Sequence, residues 1–163
     1  DRLQLHILGN FLPWYKNELL HLAKTSGVGE SQIILYPPIP SDAVIKFSSQ
    51  FDIGLSLEQF TADQNKDICL TNKIFTYLLA GNAVIATATA AQRMLAPSLG
   101  EAAWFYTPGD VPRLSAGIRR WLENRDLLNK ARLKAWQTAE NIYNWDMEQT
   151  KLTDTVNRIL AEE

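Results

Sequence analysis

The chain has 163 residues, of which 46% are hydrophobic and 21% are charged, and its formal net charge is −2. This composition is too apolar for a disordered protein and is typical of one compact globular domain. The low cysteine content makes a reducing, cytoplasmic compartment the default expectation. The basic residues form no stripe, which argues against a nucleic-acid-binding domain, and the single cysteine, Cys69, excludes an intrachain disulfide and a cysteine-rich zinc site.

Short apolar runs alternate with helical segments over the first 110 residues. Strands are predicted at 3–8, 33–36, 51–57, 83–87 and 102–106. Helices are predicted between them at 13–25, 41–48, 72–80 and 88–96, and a polar loop is predicted at 58–70. Pro13 suits the first turn of its helix, whereas Pro97 is expected to end the helix 88–96.

After Asp110 the pattern becomes helical only. Helices are predicted at 111–123, 126–142 and 146–161, with Asp110 or Thr107 as the cap of the first. Parallel strands joined by helical crossovers indicate an α/β fold. We expect a Rossmann-like parallel sheet of about five strands in residues 1–110, with the helical tail 111–163 packed on the same domain.

Ligands of open parallel sheets bind beyond the carboxyl ends of the strands. This rule selects loops at 9–12, 36–41, 57–72, 87–92 and 107–112. They contain no dinucleotide-binding glycine fingerprint, Walker A loop or serine-hydrolase elbow. His6 and His21 lie in a predicted strand and a predicted helix, away from these loops and without metal-ligand spacing.

Lys73 stands in the first turn of the helix 72–80. A helix N-terminus favours an anion, and a cation there opposes the helix dipole. A bound phosphate therefore explains Lys73 better than helix stability does. The alternative is a solvated surface lysine.

The segments Phe51–Leu55 and Asn72–Ala86 carry a resemblance, of which Asn72–Ala86 is the specific part. These segments resemble the donor-binding C-terminal domain of GT-B glycosyltransferases of the group 1, family 4-like type. The same resemblance includes Lys73-Ile74-Phe75 at the helix start and the pair Trp145-Asp146 that opens the last helix. The resemblance covers about residues 30–150. It implies hexosyl transfer from a UDP- or GDP-sugar to a glycan or glycoconjugate in polysaccharide assembly, without a metal or cofactor.

The resemblance also implies roles for particular residues. Gly9 and Asn10 would let the donor approach the backbone, and Tyr36, Pro37 and Pro38 would lie near the nucleobase. The residues expected to face the diphosphate are Leu70, Thr71, Asn72 and Lys73. An N-terminal domain outside the chain would bind the acceptor.

Two departures from the family pattern qualify these roles. The family's helix carries a ribose-binding glutamate where this sequence has Thr76, and its earlier glutamate is replaced by Ile68. Three alternatives stay open: altered nucleotide binding, Glu58 serving from the loop, or a domain that has lost donor binding. A front βα unit is also missing and the chain opens with Asp1, so we expect a fragment that is inactive alone.

Two other functions are compatible with this architecture. A nucleotide-sugar 2-epimerase would share the architecture, but both histidines are misplaced for it. A non-catalytic interaction domain would also keep the fold, and Thr76 favours it. A dimer could cover an apolar face of the last helix, and the full-length enzyme could associate peripherally with a membrane.

Overall fold

The computed structural model describes residues 3–59 and 64–161, apart from the side chain of Glu30. The predicted alternation of strands and helices is confirmed. The strands are β1 Leu5–Leu8, β2 Ile33–Tyr36, β3 Ile53–Ser56, β4 Ala83–Thr87 and β5 Ala103–Tyr106. The helices are α1 Pro13–Thr25, α2 Val44–Ser48, α3 Asn65–Ile68, α4 Asn72–Leu79, α5 Ala90–Arg93, α6 Ala96–Leu99, α7 Val111–Glu123, α8 Arg125–Asn141 and α9 Trp145–Ala161.

All the described strand pairs are parallel, as the crossover pattern predicts. β1 pairs with β2, with Leu5 opposite Ile33. β4 lies between β3 and β5, with Ala83 opposite Ile53 and Val84 opposite Ala103. The five strands thus form a two-stranded and a three-stranded sheet, and the chain divides into a first unit up to Val44 and a second unit from Ile45 onward.

The first unit consists of β1, α1 and β2. Pro13 stands in the first turn of α1, where its missing N–H costs no hydrogen bond. The helix ends at Thr25, and Gly27, two residues further on, has a φ of 76°, the left-handed conformation that favours glycine. Among the described side chains of this unit none is fully buried, and its strands are only partly covered.

The core of the second unit surrounds β4, whose five residues are all buried. Alternate side chains of a strand point to opposite faces, so β4 separates two apolar clusters. One joins β4 to α4 and the C-terminal half of α8, through Ile74, Leu78, Val84, Ala86, Ala135 and Ala139. The other joins it to α7 and the N-terminal half of α8, through Ala83, Ile85, Trp121, Leu128 and Ala131.

Two local predictions are wrong. The segment 88–96 is not one helix but the short helices α5 and α6, and Pro97 lies in the first turn of α6 instead of ending a helix. A proline can stand in the first turn of a helix because the N–H group that it lacks would form no hydrogen bond within the helix there. The predicted loop 58–70 contains α3, while its residues 60–63 lie outside the described part of the chain.

The helices after Asp110 differ in how far they are buried. The Asp110 carboxylate caps α7 by accepting a hydrogen bond from the Arg113 N–H at 2.9 Å. α7 and α8 pack on the three-stranded sheet, whereas no residue of α9 is buried.

Among the helices that the structure describes, none has both the length and the apolar character for crossing a bilayer.

Candidate functional site

Gly9, Asn10, Pro37 and Pro38, which the sequence predicts as donor-binding residues, lie around one pocket. The pocket opens at the carboxyl ends of β1 and β2 and measures about 320 Å³. The Gly9 N–H donates to the Tyr36 carbonyl at 3.1 Å, which ties the two loops together. The remaining lining residues are Phe11, Lys16, Leu35 and Tyr36. All of them belong to the first unit.

The pocket combines flat apolar surfaces with polar groups. Phe11, Tyr36 and the two prolines supply the apolar surfaces, and Asn10 and Lys16 supply side-chain donors. The Tyr36 hydroxyl lies 3.0 Å from His6 Nδ1, and the two rings stack with centroids 5.7 Å apart. This contact holds the Tyr36 ring in place. Such a mixture of flat apolar faces and a few donors is usual for small-molecule sites.

Phe11 and Lys16 line the pocket but were not named from the sequence: Phe11 lies within the selected loop 9–12, whereas Lys16 lies beyond it. The selected loop ended at Leu12, and Lys16 lies one turn into α1, with its N–H bonded to the Leu12 carbonyl at 3.0 Å. Side chains on a helix lean toward its N-terminus, so a residue one turn in can still reach the loop before the helix. The position of Lys16, four residues after Leu12, is therefore the sequence signal that places it near this loop.

The second group of predicted residues lies where β3 ends and α4 begins. Lys73 Nζ is 2.5 Å from Glu58 Oε1, which also accepts a hydrogen bond from the Thr71 hydroxyl at 3.2 Å. Glu58 is 7% exposed, whereas the Lys73 side chain is 48% exposed. The Glu58 N–H donates to Thr87 Oγ1 at 2.7 Å, which attaches this loop to the end of β4.

Two opposing effects set the pKa of Glu58. Burial works to raise it, but the hydrogen bond and charge of Lys73, the Thr71 hydroxyl and the charge of Lys66 together outweigh burial. The pKa of Glu58 therefore lies below its ordinary value of 4.5. At neutral pH the carboxylate is ionised and balances the charge of Lys73 within the second unit.

Thr76 and Leu70 make contacts within the fold. The Thr76 hydroxyl donates to the Asn72 carbonyl of its own helix at 3.2 Å. The Leu70 side chain packs against the apolar cluster around Ile74. Asn72 and Lys73 remain exposed at the start of α4. The structure thus gathers Glu58, Thr71 and Lys73, and turns the side chain of Leu70 toward the core.

A buried polar network, unforeseen from the sequence, connects the ends of β3 and β4. Thr87 Oγ1 donates to the Ser56 carbonyl at 3.1 Å, and Gln92 Nε2 donates to Ser56 Oγ at 3.2 Å. Thr89 Oγ1 accepts from the Gln92 N–H at 3.0 Å and caps α5. All four residues are fully buried, so this part of the predicted loop 87–92 holds the strand ends together instead of facing a ligand.

Metal-ligand residues do not cluster in the part of the chain that the structure describes. Residues 3–59 and 64–161 contain no group of three or more histidine, cysteine or acidic side chains placed to hold an ion.

The fold is shared with glycosyltransferase structures, although no family model and no curated protein matches the sequence. A sucrose-phosphate synthase from Thermosynechococcus elongatus superposes with a TM-score of 0.78 at 15% identity, over 98% of this chain and 39% of that one. The C-terminal domain of a glycosyl transferase group 1 family protein from Francisella tularensis gives a TM-score of 0.67 at 15% identity, over 89% and 88% of the two chains. The fold is therefore that of a GT-B C-terminal domain, as the resemblance implied. This chain spans about two fifths of the synthase.

Proposed function

We propose that this chain is the donor-binding domain of a glycosyltransferase and binds a UDP- or GDP-sugar. The observation that carries the proposal is the pocket at the carboxyl ends of β1 and β2. It brings together Gly9, Asn10, Pro37 and Pro38 at the edge of a parallel sheet where ligands of this architecture bind. The fold shared with glycosyltransferase structures supports the same function.

The pocket would receive the nucleoside part of the donor. The flat faces of Tyr36, Pro37 and Pro38 suit packing against a base, and Asn10 offers an amide for hydrogen bonds. In sugar transfer, negative charge develops on the leaving diphosphate, and groups that stabilise this charge speed the reaction. Within the pocket of the first unit, the ammonium group of Lys16 offers such stabilisation.

The transfer itself would need groups beyond this chain. The acceptor, a glycan or glycoconjugate, and the catalytic base are proposed to belong to another domain. The sucrose-phosphate synthase, of which this chain spans 39%, has the length for such a partner domain. Residues 1–163 alone are therefore expected to bind donor but not to transfer hexose.

Calorimetric titration of the purified chain with UDP, GDP and their sugars tests the proposal, with AMP as a nucleotide control. The expected result is saturable binding of UDP or GDP that weakens in Asn10→Ala and is unchanged in Asn141→Ala, an exposed residue at the end of α8. At a hundredfold excess over Kd, the ligand should stabilise the fold by roughly 2.7 kcal/mol. Absence of binding by every uridine and guanosine nucleotide would contradict it.

The same titration decides on the second candidate, a non-catalytic interaction domain. The observation in its favour is Thr76, whose hydroxyl is bonded to the Asn72 carbonyl at the place where the resembling enzymes carry a ribose-binding carboxylate. A domain of this kind would bind none of the nucleotides.

A further inference from the structure

We propose that Lys16 is the residue that binds the phosphate of the nucleotide, and that Lys73 has a structural role. This inference rests on the proposed function, because it assigns the anion-binding group within the pocket proposed for the donor. The sequence favoured Lys73 for this task, and the contacts of the two lysines point the other way.

The ammonium group of Lys73 already forms an ion pair within the fold. Its ammonium group lies 2.5 Å from the Glu58 carboxylate, which is buried, is held by Thr71 and has a lowered pKa. A phosphate approaching Lys73 would compete with this carboxylate and feel its negative charge. Displacing Glu58 would also leave a buried carboxylate without its strongest partner, which is costly. Lys73 is therefore a poor source of free positive charge.

Lys16 has no such partner. It lines the pocket, and it forms no ion pair or side-chain hydrogen bond with residues 3–59 or 64–161. The described residues that share the lining include no acidic side chain. Helix stability does not account for a lysine here, because a cation in the first turn opposes the helix dipole and α1 has no acidic residue there to offset it.

The arrangement of the lining suits a ligand with a flat ring and an anionic end. Tyr36, Pro37 and Pro38 offer apolar surface, and Lys16 with Asn10 offers donors. A volume of about 320 Å³ is at the lower end of the roughly 300–1,000 Å³ of small-molecule sites. The ligand class is thus a nucleoside diphosphate or its ester.

Three matched variants test the assignment in the full chain: Lys16→Gln, Lys73→Gln and Lys24→Gln. Lys24 lies on the same helix as Lys16 and its substitution changes the net charge equally, but it does not line the pocket. Calorimetry with UDP and GDP measures affinity, and the matching nucleoside, uridine or guanosine, measures base binding alone. Thermal unfolding reports whether each variant stays folded.

The expected result is a loss of roughly tenfold in diphosphate affinity for Lys16→Gln, with nucleoside affinity within about twofold and recovery in Lys16→Arg. Lys73→Gln should keep the diphosphate affinity and unfold at a lower temperature, and Lys24→Gln should change neither. A tenfold loss in Lys73→Gln but not in Lys16→Gln would overturn the assignment, as would equal losses in Lys16→Gln and Lys24→Gln. Failure of the unaltered chain to bind UDP or GDP would overturn the proposed function together with it.

Discussion

Glu58 connects three segments of the second unit. Its side chain binds Thr71 and Lys73 at the start of α4, and its backbone N–H binds Thr87 at the end of β4. The sequence left this residue open between a loop carboxylate and a ligand-binding group. Glu58 and Lys73 lie 15 positions apart, with α3 between them, and no periodicity of the sequence relates them. Their contact is therefore visible only in the structure.

The lowered pKa of Glu58 predicts how stability depends on pH. The unfolded chain binds a proton near the ordinary value of 4.5, and the folded chain does so only at lower pH. The stabilisation is therefore fully present above that value and is lost as the pH falls through the folded-state pKa. Because Lys73 is half exposed and screened by water, Glu58→Gln should cost about 1 kcal/mol or less at pH 7.

Urea unfolding at pH 7 and at pH 3 measures this effect. The stability difference between the unaltered chain and Glu58→Gln should shrink at the lower pH. Glu140→Gln, at an exposed position of α8, serves as the control and should leave the stability at pH 7 unchanged. A difference that stays constant or grows as the pH falls would show that the ion pair does not stabilise the fold.

Topology selected from the sequence the loops that surround the first-unit pocket, and the family resemblance then named residues within them. Gly9, Asn10, Pro37 and Pro38 follow β1 and β2 directly, and parallel neighbours end at the same edge. The same rule did not select Lys16, because Lys16 belongs to the helix that follows the loop. The rule locates strand ends, but it does not say which side chains of the following helix lean back over them.

At the scale of elements, strong end signals made the boundaries predictable. The predicted ranges 13–25, 33–36, 83–87 and 111–123 coincide with α1, β2, β4 and α7. Pro13, Pro37 and Asp110 mark three of these ends. Pro97 shows the limit of such signals, because proline suits both the residue after a helix and the first turn of the next.

The approach of α4 to β3 depends on a residue without a side chain. A Cβ added at Gly54 would overlap the ring of Tyr77, whose hydroxyl donates to the Leu55 carbonyl at 3.3 Å. Gly54 therefore allows the ring to lie directly on the strand. The sequence contained Gly54 and Tyr77, but nothing in it indicated that the two would meet.

The helix α9 is predicted to be the least protected of the long helices in the second unit. No residue of α9 is buried, and Leu152, Ile159 and Leu160 are each more than half exposed. A helix of 17 residues without a packed face is marginal in water. Hydrogen exchange followed by mass spectrometry should show α9 amides exchanging well before those of α8, which buries Leu128, Ala131 and Ala135. Equal protection of α8 and α9 in a monomeric sample would contradict this.

For the molecule as a whole, alternation along the chain predicted the parallel α/β fold but not its division at Val44. The apolar runs of β1 and β2 resemble those of the other strands. Their burial differs, however, because β4 is sandwiched between α4, α7 and α8 while the first unit has a single long helix. Burial is a property of the assembled layers, so a local pattern does not reveal it.

This difference in burial predicts where a nucleotide should act on stability. The first unit has no fully buried side chain among those described, so its local opening should cost less free energy than opening of the second unit. A ligand in the pocket of the first unit must be released before that unit opens. At a hundredfold excess over Kd it therefore adds roughly 2.7 kcal/mol to the local opening free energy.

Hydrogen exchange with and without saturating UDP or GDP, whichever binds, measures this addition segment by segment. Exchange in peptides covering β1, α1 and β2 should slow by about a hundredfold, and peptides from the buried part of α8 serve as the internal control. Because α8 opens at a higher free energy and does not touch the pocket, its exchange should change little. Slowing confined to α4 would place the nucleotide at the Glu58–Lys73 cluster and contradict binding in the pocket.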